Sequence, residues 1–171
     1  MKFLVAALTL TLLSAPAVAQ HQHPQTPYGG LQQRDIKALS EQQLADLKLG
    51  RGMGLALAAE LNGYPGPLHV LELADQLNLN GEQRQRVQQL FDAMKVEATA
   101  VGERLIAQET ELDRAFATGS ISPATLNTLA ARIGQTQGEL RTVHLKYHLT
   151  VAELLTADQK HRYAQLRGYR H

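Results

Sequence analysis

Cysteine and tryptophan are absent from this 171-residue chain, and only 5% of its residues are aromatic. Without cysteine there is no disulfide framework, no thiolate nucleophile and no thiolate metal ligand. With so few rings, a core has to be assembled from aliphatic side chains. An excess of charge is lacking as well: 17 Lys and Arg stand against 16 Asp and Glu, which excludes a general electrostatic grip on nucleic acid. The one long apolar run lies at the N-terminus, where Phe3 to Leu13 is interrupted only by threonines and is too short to span a bilayer stably. With Met1-Lys2 before it and Ala17-Val18-Ala19 after it, it has the charge, apolar core and small-residue cleavage pattern of a secretory signal. No cysteine stands there to take a lipid. Residues 1–19 are therefore expected to be removed on export, which leaves no stable membrane anchor. Lys2 goes with them, so the remainder carries 16 basic against 16 acidic residues.

What is there is helical periodicity. Gln20 to Gly30 (QHQHPQTPYGG) is polar and rich in Pro and Gly, and residues 20–38 read as a flexible polar lead. From 39 to 171 a single helical domain is expected, about 150 residues in the mature chain being enough to bury roughly 70% of the unfolded surface. A first helix is predicted from about Glu41 to Leu61, stopped by Asn62-Gly63, Pro65 and Pro67. A short one follows from about Leu68 to Leu77. From Glu82 onward Val87, Leu90, Phe91, Met94, Ala98, Val101, Leu105, Leu112 and Phe116 recur mostly every three or four positions, a stripe along one long helix. Gly119-Ser120 ends it, and Ser122-Pro123 opens a second long helix striped by Leu126, Leu129, Ile133, Leu140, Tyr147, Val151 and Leu154. Joined by a short turn, the two must lie antiparallel to bury their stripes. A terminal helix over Ala157–Leu166 completes an all-α fold: a long antiparallel helical hairpin with shorter flanking helices, four to five in total.

Three helix starts share one phrase. Leu39-Ser40-Glu41-Gln42-Gln43, Leu79-Asn80-Gly81-Glu82-Gln83 and Leu155-Thr156-Ala157-Asp158-Gln159 each place a cap residue three positions before a glutamine. The cap oxygen can accept from the first turn, and the glutamine can reach back to the cap N–H.

Candidates for chemistry are few. His144 and His148 in HLKYH lie four apart on one helix and could face one ion, with Glu103, Glu109, Glu111 and Asp113 as partners on the opposing helix. The same wheel sets His144 inside the stripe with Leu140, Tyr147 and Val151, which favours a packed histidine beside a surface one. His21, His23 and His171 add weak metal affinity without forming a site. Leu145 occupies the place where a metalloprotease needs glutamate. There is no nucleophile elbow or phosphate loop, and Gly50, Gly52 and Gly54 lack the strand context of a dinucleotide fingerprint. They read instead as allowing close packing or loosening the start of an Ala-rich helix. Met53 and Met94 are too far apart to make a copper-binding run and read as filler. Arg84-Gln85-Arg86, Arg162 and Arg167 read as solvated surface that could steer acidic partners. An enzyme is not expected.

The phrases at Leu155, Thr156 and Gln159 and at Leu79, Asn80 and Gln83, with Asn80 in place of threonine, resemble the LTxxQ motif of the Spy/CpxP-like periplasmic proteins, a family of refolding chaperones and heavy-metal resistance sensors. The similarity covers roughly residues 68–166; residues 39–67, with their glycines, are less typical. The resemblance implies a periplasmic helical protein, a homodimer, that either shelters unfolded or misfolded periplasmic proteins without ATP or binds a metal and reports it. No cofactor is required for the first role. Zinc, copper or nickel on His144 and His148 would serve the second. A third role is that of regulatory partner to an envelope stress receptor.

Overall fold

The computed structural model describes residues 27–169; the expected signal peptide and the histidines of both tails lie outside them. The chain divides into two units, residues 1–32 and 33–171. Of the first, residues 27–32 are described, a turn closed by the Leu31 amide on the Tyr28 carbonyl (3.0 Å) that opens a 3-10 helix, Leu31–Gln33. The second unit is all helical in its described residues: α1 Glu41–Lys48, α2 Leu57–Glu60, α3 Pro67–Glu72, α4 Gly81–Ala117, α5 Pro123–Leu154 and α6 Ala157–Leu166.

The two long helices form the expected antiparallel hairpin. On α4 the buried apolar side chains Val87, Leu90, Met94, Ala98, Val101 and Leu105 share one core with Ile133, Leu140, Val143, Tyr147 and Val151 of α5. Outside this seam a ladder of ion pairs fixes the register. Glu97 meets Lys146, Arg104 meets Glu139 (2.5 Å) and Glu111 meets Arg132 (3.1 Å), each step seven residues forward on α4 and seven back on α5. All six side chains are about half exposed, so each pair contributes no more than about 1 kcal/mol. Their spacing excludes slipped registers by setting like charges opposite one another. At the hairpin tip Phe116 and Leu126 stay exposed, because two helices alone cannot bury both stripes there.

All three starts carry complete capping boxes, at Ser40, Asn80 and Thr156. Two of them are joined. The Nε2 of Gln83 donates to Gln159 Oε1 (2.9 Å) and to the Leu154 carbonyl (2.9 Å), while the Nε2 of Gln159 donates to Gln83 Oε1 (3.1 Å) and to the Leu77 carbonyl (3.4 Å). Each glutamine thus closes its own helix start and holds the other's. Leu79 and Leu155, which open the two phrases, are both buried beside them.

One expected element is divided. The helix predicted over Glu41–Leu61 ends at Lys48, where Gly50 adopts φ +62° and the Gly50 and Arg51 amides close on the Leu47 (3.2 Å) and Asp46 (2.9 Å) carbonyls. That is the Schellman arrangement, which stops a helix at a left-handed residue. Four-residue α2 resumes only at Leu57, which raises the number of α-helices among the described residues to six. Upstream, Ile36, near the end of the stretch read as a polar lead, and Leu39, the first residue of the expected domain, are buried in the core.

Candidate functional site

Between α1 and α3 the backbone does what only a glycine-rich segment permits. A Cβ on Gly50 would lie 2.7 Å from the Lys95 carbonyl, so its absence lets the chain cross close over α4. Gly54 follows at φ +76°, and Met53 itself adopts φ +45°, a region that costs a side-chain-bearing residue free energy. Held in this turn, the segment turns only part of its apolar side chains inward, Leu55 packing against the core. Leu49, Met53, Leu57 and Leu68 are 40–55% exposed. With Phe91 and Met94 of α4 they line a groove of about 570 Å³, whose remaining wall includes Arg51, Lys95, His69 and His148.

Beneath the groove lies a buried carboxylate. Glu60 is 6% exposed and is fully engaged. Its Oε2 accepts from the Gly66 amide (3.1 Å), and its Oε1 accepts from the Tyr169 hydroxyl (3.0 Å) and from the Tyr163 hydroxyl. Arg167 Nε stands 3.8 Å away and supplies positive charge to a buried anion, and His148 Nδ1 stands 3.7 Å away. Burial, followed by the Glu60 hydrogen bond and charge, pushes the Tyr163 phenol far above its ordinary value. α2, α6 and the C-terminal Tyr169 are thereby tied together.

His148 sits against this network. Its Nδ1 lies 2.7 Å from the Tyr64 carbonyl, and a carbonyl only accepts, so Nδ1 carries the proton and Nε2 keeps the lone pair in the neutral ring. The ring packs over Gly66, where a Cβ would lie 2.7 to 2.8 Å from it. One turn earlier His144 is 2% exposed, and its Nε2 has no hydrogen-bond partner among the described residues. Burial first, and then the neighbouring His148, hold its pKa below the usual imidazole value.

Both histidines are therefore buried, where the sequence wheel placed one inside and one at the flank. Of the acidic partners considered for them, Glu103 is an exposed residue of α4, and the other three stand elsewhere. In the register of the ion ladder, His144 and His148 lie opposite the stretch from Lys95 to Thr99, so Glu109 is about 15 Å further along α4 at 1.5 Å per residue. Glu111 is paired with Arg132 and Asp113 with Lys37. Glu109 is buried alone, and burial pushes its carboxyl pKa up. No three His, Asp or Glu side chains gather around one point among the described residues. The groove instead brings together Met53 and Met94, which sequence distance had separated. Glu60 was missed because an acid in an Ala-rich helix reads as solvated. The tyrosines and arginine that enclose it lie about a hundred residues downstream.

No curated protein and no solved structure matches the chain. A family model described as heavy-metal resistance matches residues 54–162, a span that takes in the groove segment from Gly54 onward, the whole hairpin and both joined capping phrases. The chain belongs to the heavy-metal resistance family, the LTxxQ-motif, Spy/CpxP-like group that its capping phrases resemble.

Proposed function

We propose that this protein is an ATP-independent periplasmic chaperone that takes apolar segments of unfolded envelope proteins into the groove formed by residues 49–68. The observation that carries this reading is the set of leucines left open over that groove, since a monomeric protein seldom leaves a contiguous apolar patch without a partner. Its size suits a few side chains of an extended segment. Members of the family are typically periplasmic, in keeping with the expected removal of residues 1–19, which the intact mass of the exported protein checks. Among the described residues no helix is long and apolar enough to cross a membrane. Binding needs no catalytic group, and none is assigned.

The test is hydrogen exchange of the mature protein with and without a chemically unfolded client. Amides of residues 49–68 should gain protection while those of the hairpin tip do not. Protection confined to the tip would remove the groove from the proposal.

A second reading, a metal sensor or resistance protein built on His144 and His148, draws on the family's description and on the unpartnered Nε2 of His144. The two readings separate in the double substitution His144→Gln with His148→Gln, which discards the imidazole ligands. Client protection should survive it, whereas metal affinity resting on these residues should collapse.

A further inference from the structure

One wall of the groove is tied to α6 by a carboxylate. Glu60 lines the groove from α2, and of the four residues of that helix only Ala59 and Glu60 are buried. No side chain caps α2 at Ala56. A single helical turn does not hold itself in water, so the position of α2 rests on what Glu60 meets. The Gly66 amide on its Oε2 belongs to the same segment of chain. The donors from outside that segment are the hydroxyls of Tyr163, on α6, and of Tyr169, just beyond it. The other polar tie nearby, His148 Nδ1 against the Tyr64 carbonyl, lies after α2. We propose that the turn Arg167–Tyr169 is a releasable clasp that, through Glu60, holds the groove in its open form.

The turn places one hydroxyl. Gly168 adopts φ +73°, its amide closes on the Gln165 carbonyl (3.1 Å) and the Tyr169 amide closes on the Ala164 carbonyl (2.8 Å). This Schellman stop folds the chain back against the end of α6. The Tyr169 ring then meets Tyr163 edge-on, with 6.4 Å between centroids. Arg167 Nε donates to the Tyr169 hydroxyl (3.3 Å), and that hydroxyl donates to Glu60 Oε1 (3.0 Å).

Held from this side, α2 and the residue after it keep Leu57 and Leu61 about half exposed. The hydrophobic effect favours burying those leucines over the apolar floor of Phe91 and Met94. Fixing Glu60 opposes that collapse. Release is open to the molecule because Tyr163 stays on the carboxylate when Tyr169 leaves, so the buried anion is not orphaned. Only one turn at a helix end has to unwind, where local opening takes least free energy. Clasp engaged with groove open and clasp released with groove collapsed are thus two coupled states. By linkage, an occupant of the groove tightens the clasp by the same factor as the clasp tightens the occupant.

Amide hydrogen exchange followed by NMR on the purified mature protein, with no client present, tests the clasp by itself. Tyr169→Phe removes the hydroxyl and keeps the ring. Gly168→Val, at a position with nothing within 4 Å of an added Cβ, strains only the turn. In both variants exchange over residues 57–66, the Gly66 amide above all, should rise about tenfold or more, as loss of a hydrogen bond to a charged group entails. The amides of α4 and α5 should keep wild-type rates. A second readout rests on the chaperone reading: a bound client should dissociate faster from both variants, and in wild type a saturating client should slow exchange of the Tyr169 amide, which lies outside the groove lining. Unchanged exchange over residues 57–66 in either variant would overturn the proposal. So would a rise spread evenly over α4 and α5, which marks general destabilisation, or client dissociation equal in wild type and variants. A wild type that takes no client, beside variants with the localised rise, would remove the chaperone reading and leave the clasp standing.

Discussion

Gln83 and Gln159 show how much a single side chain can carry here. Each has one oxygen and one NH2 group, and between them these close two helix starts, satisfy each other and take up the Leu154 and Leu77 carbonyls. Removing either leaves half-buried donors and acceptors without partners, a loss of about 1–3 kcal/mol. Independent caps would give additive losses, whereas Gln83→Ala and Gln159→Ala should couple by about 0.5–3 kcal/mol in a double-mutant cycle followed by denaturant unfolding. Thr156→Ala, which touches only its own cap, should cost about 1 kcal/mol. His144 makes a different prediction. Its folded pKa is depressed, so below the ordinary imidazole value the unfolded chain binds the proton that the folded chain refuses. The stability it contributes is therefore complete above about pH 6.5 and declines as the pH falls from there toward the folded pKa. Glu109, with its raised pKa, contributes a slope of the opposite sign at lower pH. The difference between wild type and His144→Gln in melting temperature, scanned from pH 7.5 to 5.5, isolates the histidine and should narrow as the pH falls.

Among the elements, glycines decide what packs and what does not. Gly102 lies within α4, and a Cβ there would come 2.5 Å from the Leu47 carbonyl of α1. Gly134 lies on the exposed side of α5 with nothing within 4 Å. The same substitution should act with opposite sign at the two positions. Gly134→Ala should stabilise by about 0.5–1 kcal/mol through helix propensity. Gly102→Ala should destabilise by about 1–3 kcal/mol, because rigid backbone cannot yield to the added methyl and α1 must move. Thermal unfolding of the two variants checks both. The sequence makes the long helices legible because their stripes repeat for about eight turns and their caps are explicit. It hides the break at Gly50, although Lys48 in the last turn and glycine after it are stop signals, since the alanines from Ala56 to Ala59 read as more helix. A left-handed glycine is recognised only when the hydrogen bonds that close around it are seen.

At the scale of the molecule, those local breaks make the groove. Had α1 run unbroken to Leu61, Leu49, Met53 and Leu57 would have followed the turns of one helix. The Schellman stop and the two left-handed residues after it place them instead around a cavity, over the buried Glu60 network that ties α2 to α6 and Tyr169. Sequence spacing could mark His144 and His148 as a pair and the capping phrases as a family resemblance. It could not reveal that Met53 and Met94 share a wall, or that Gln83 meets Gln159, because both meetings depend on the packed register of the hairpin. The central claim, that the open groove receives unfolded chains, is tested most directly by light scattering from a denatured client diluted into the mature protein at equimolar ratio. Wild type should suppress aggregation without nucleotide and equally with zinc, copper or chelator present. Leu57→Ser with Leu68→Ser, both at exposed positions, should keep the fold by circular dichroism and lose most of that protection. A wild type that leaves aggregation unchanged, or a serine variant that protects as well as wild type, would contradict the account.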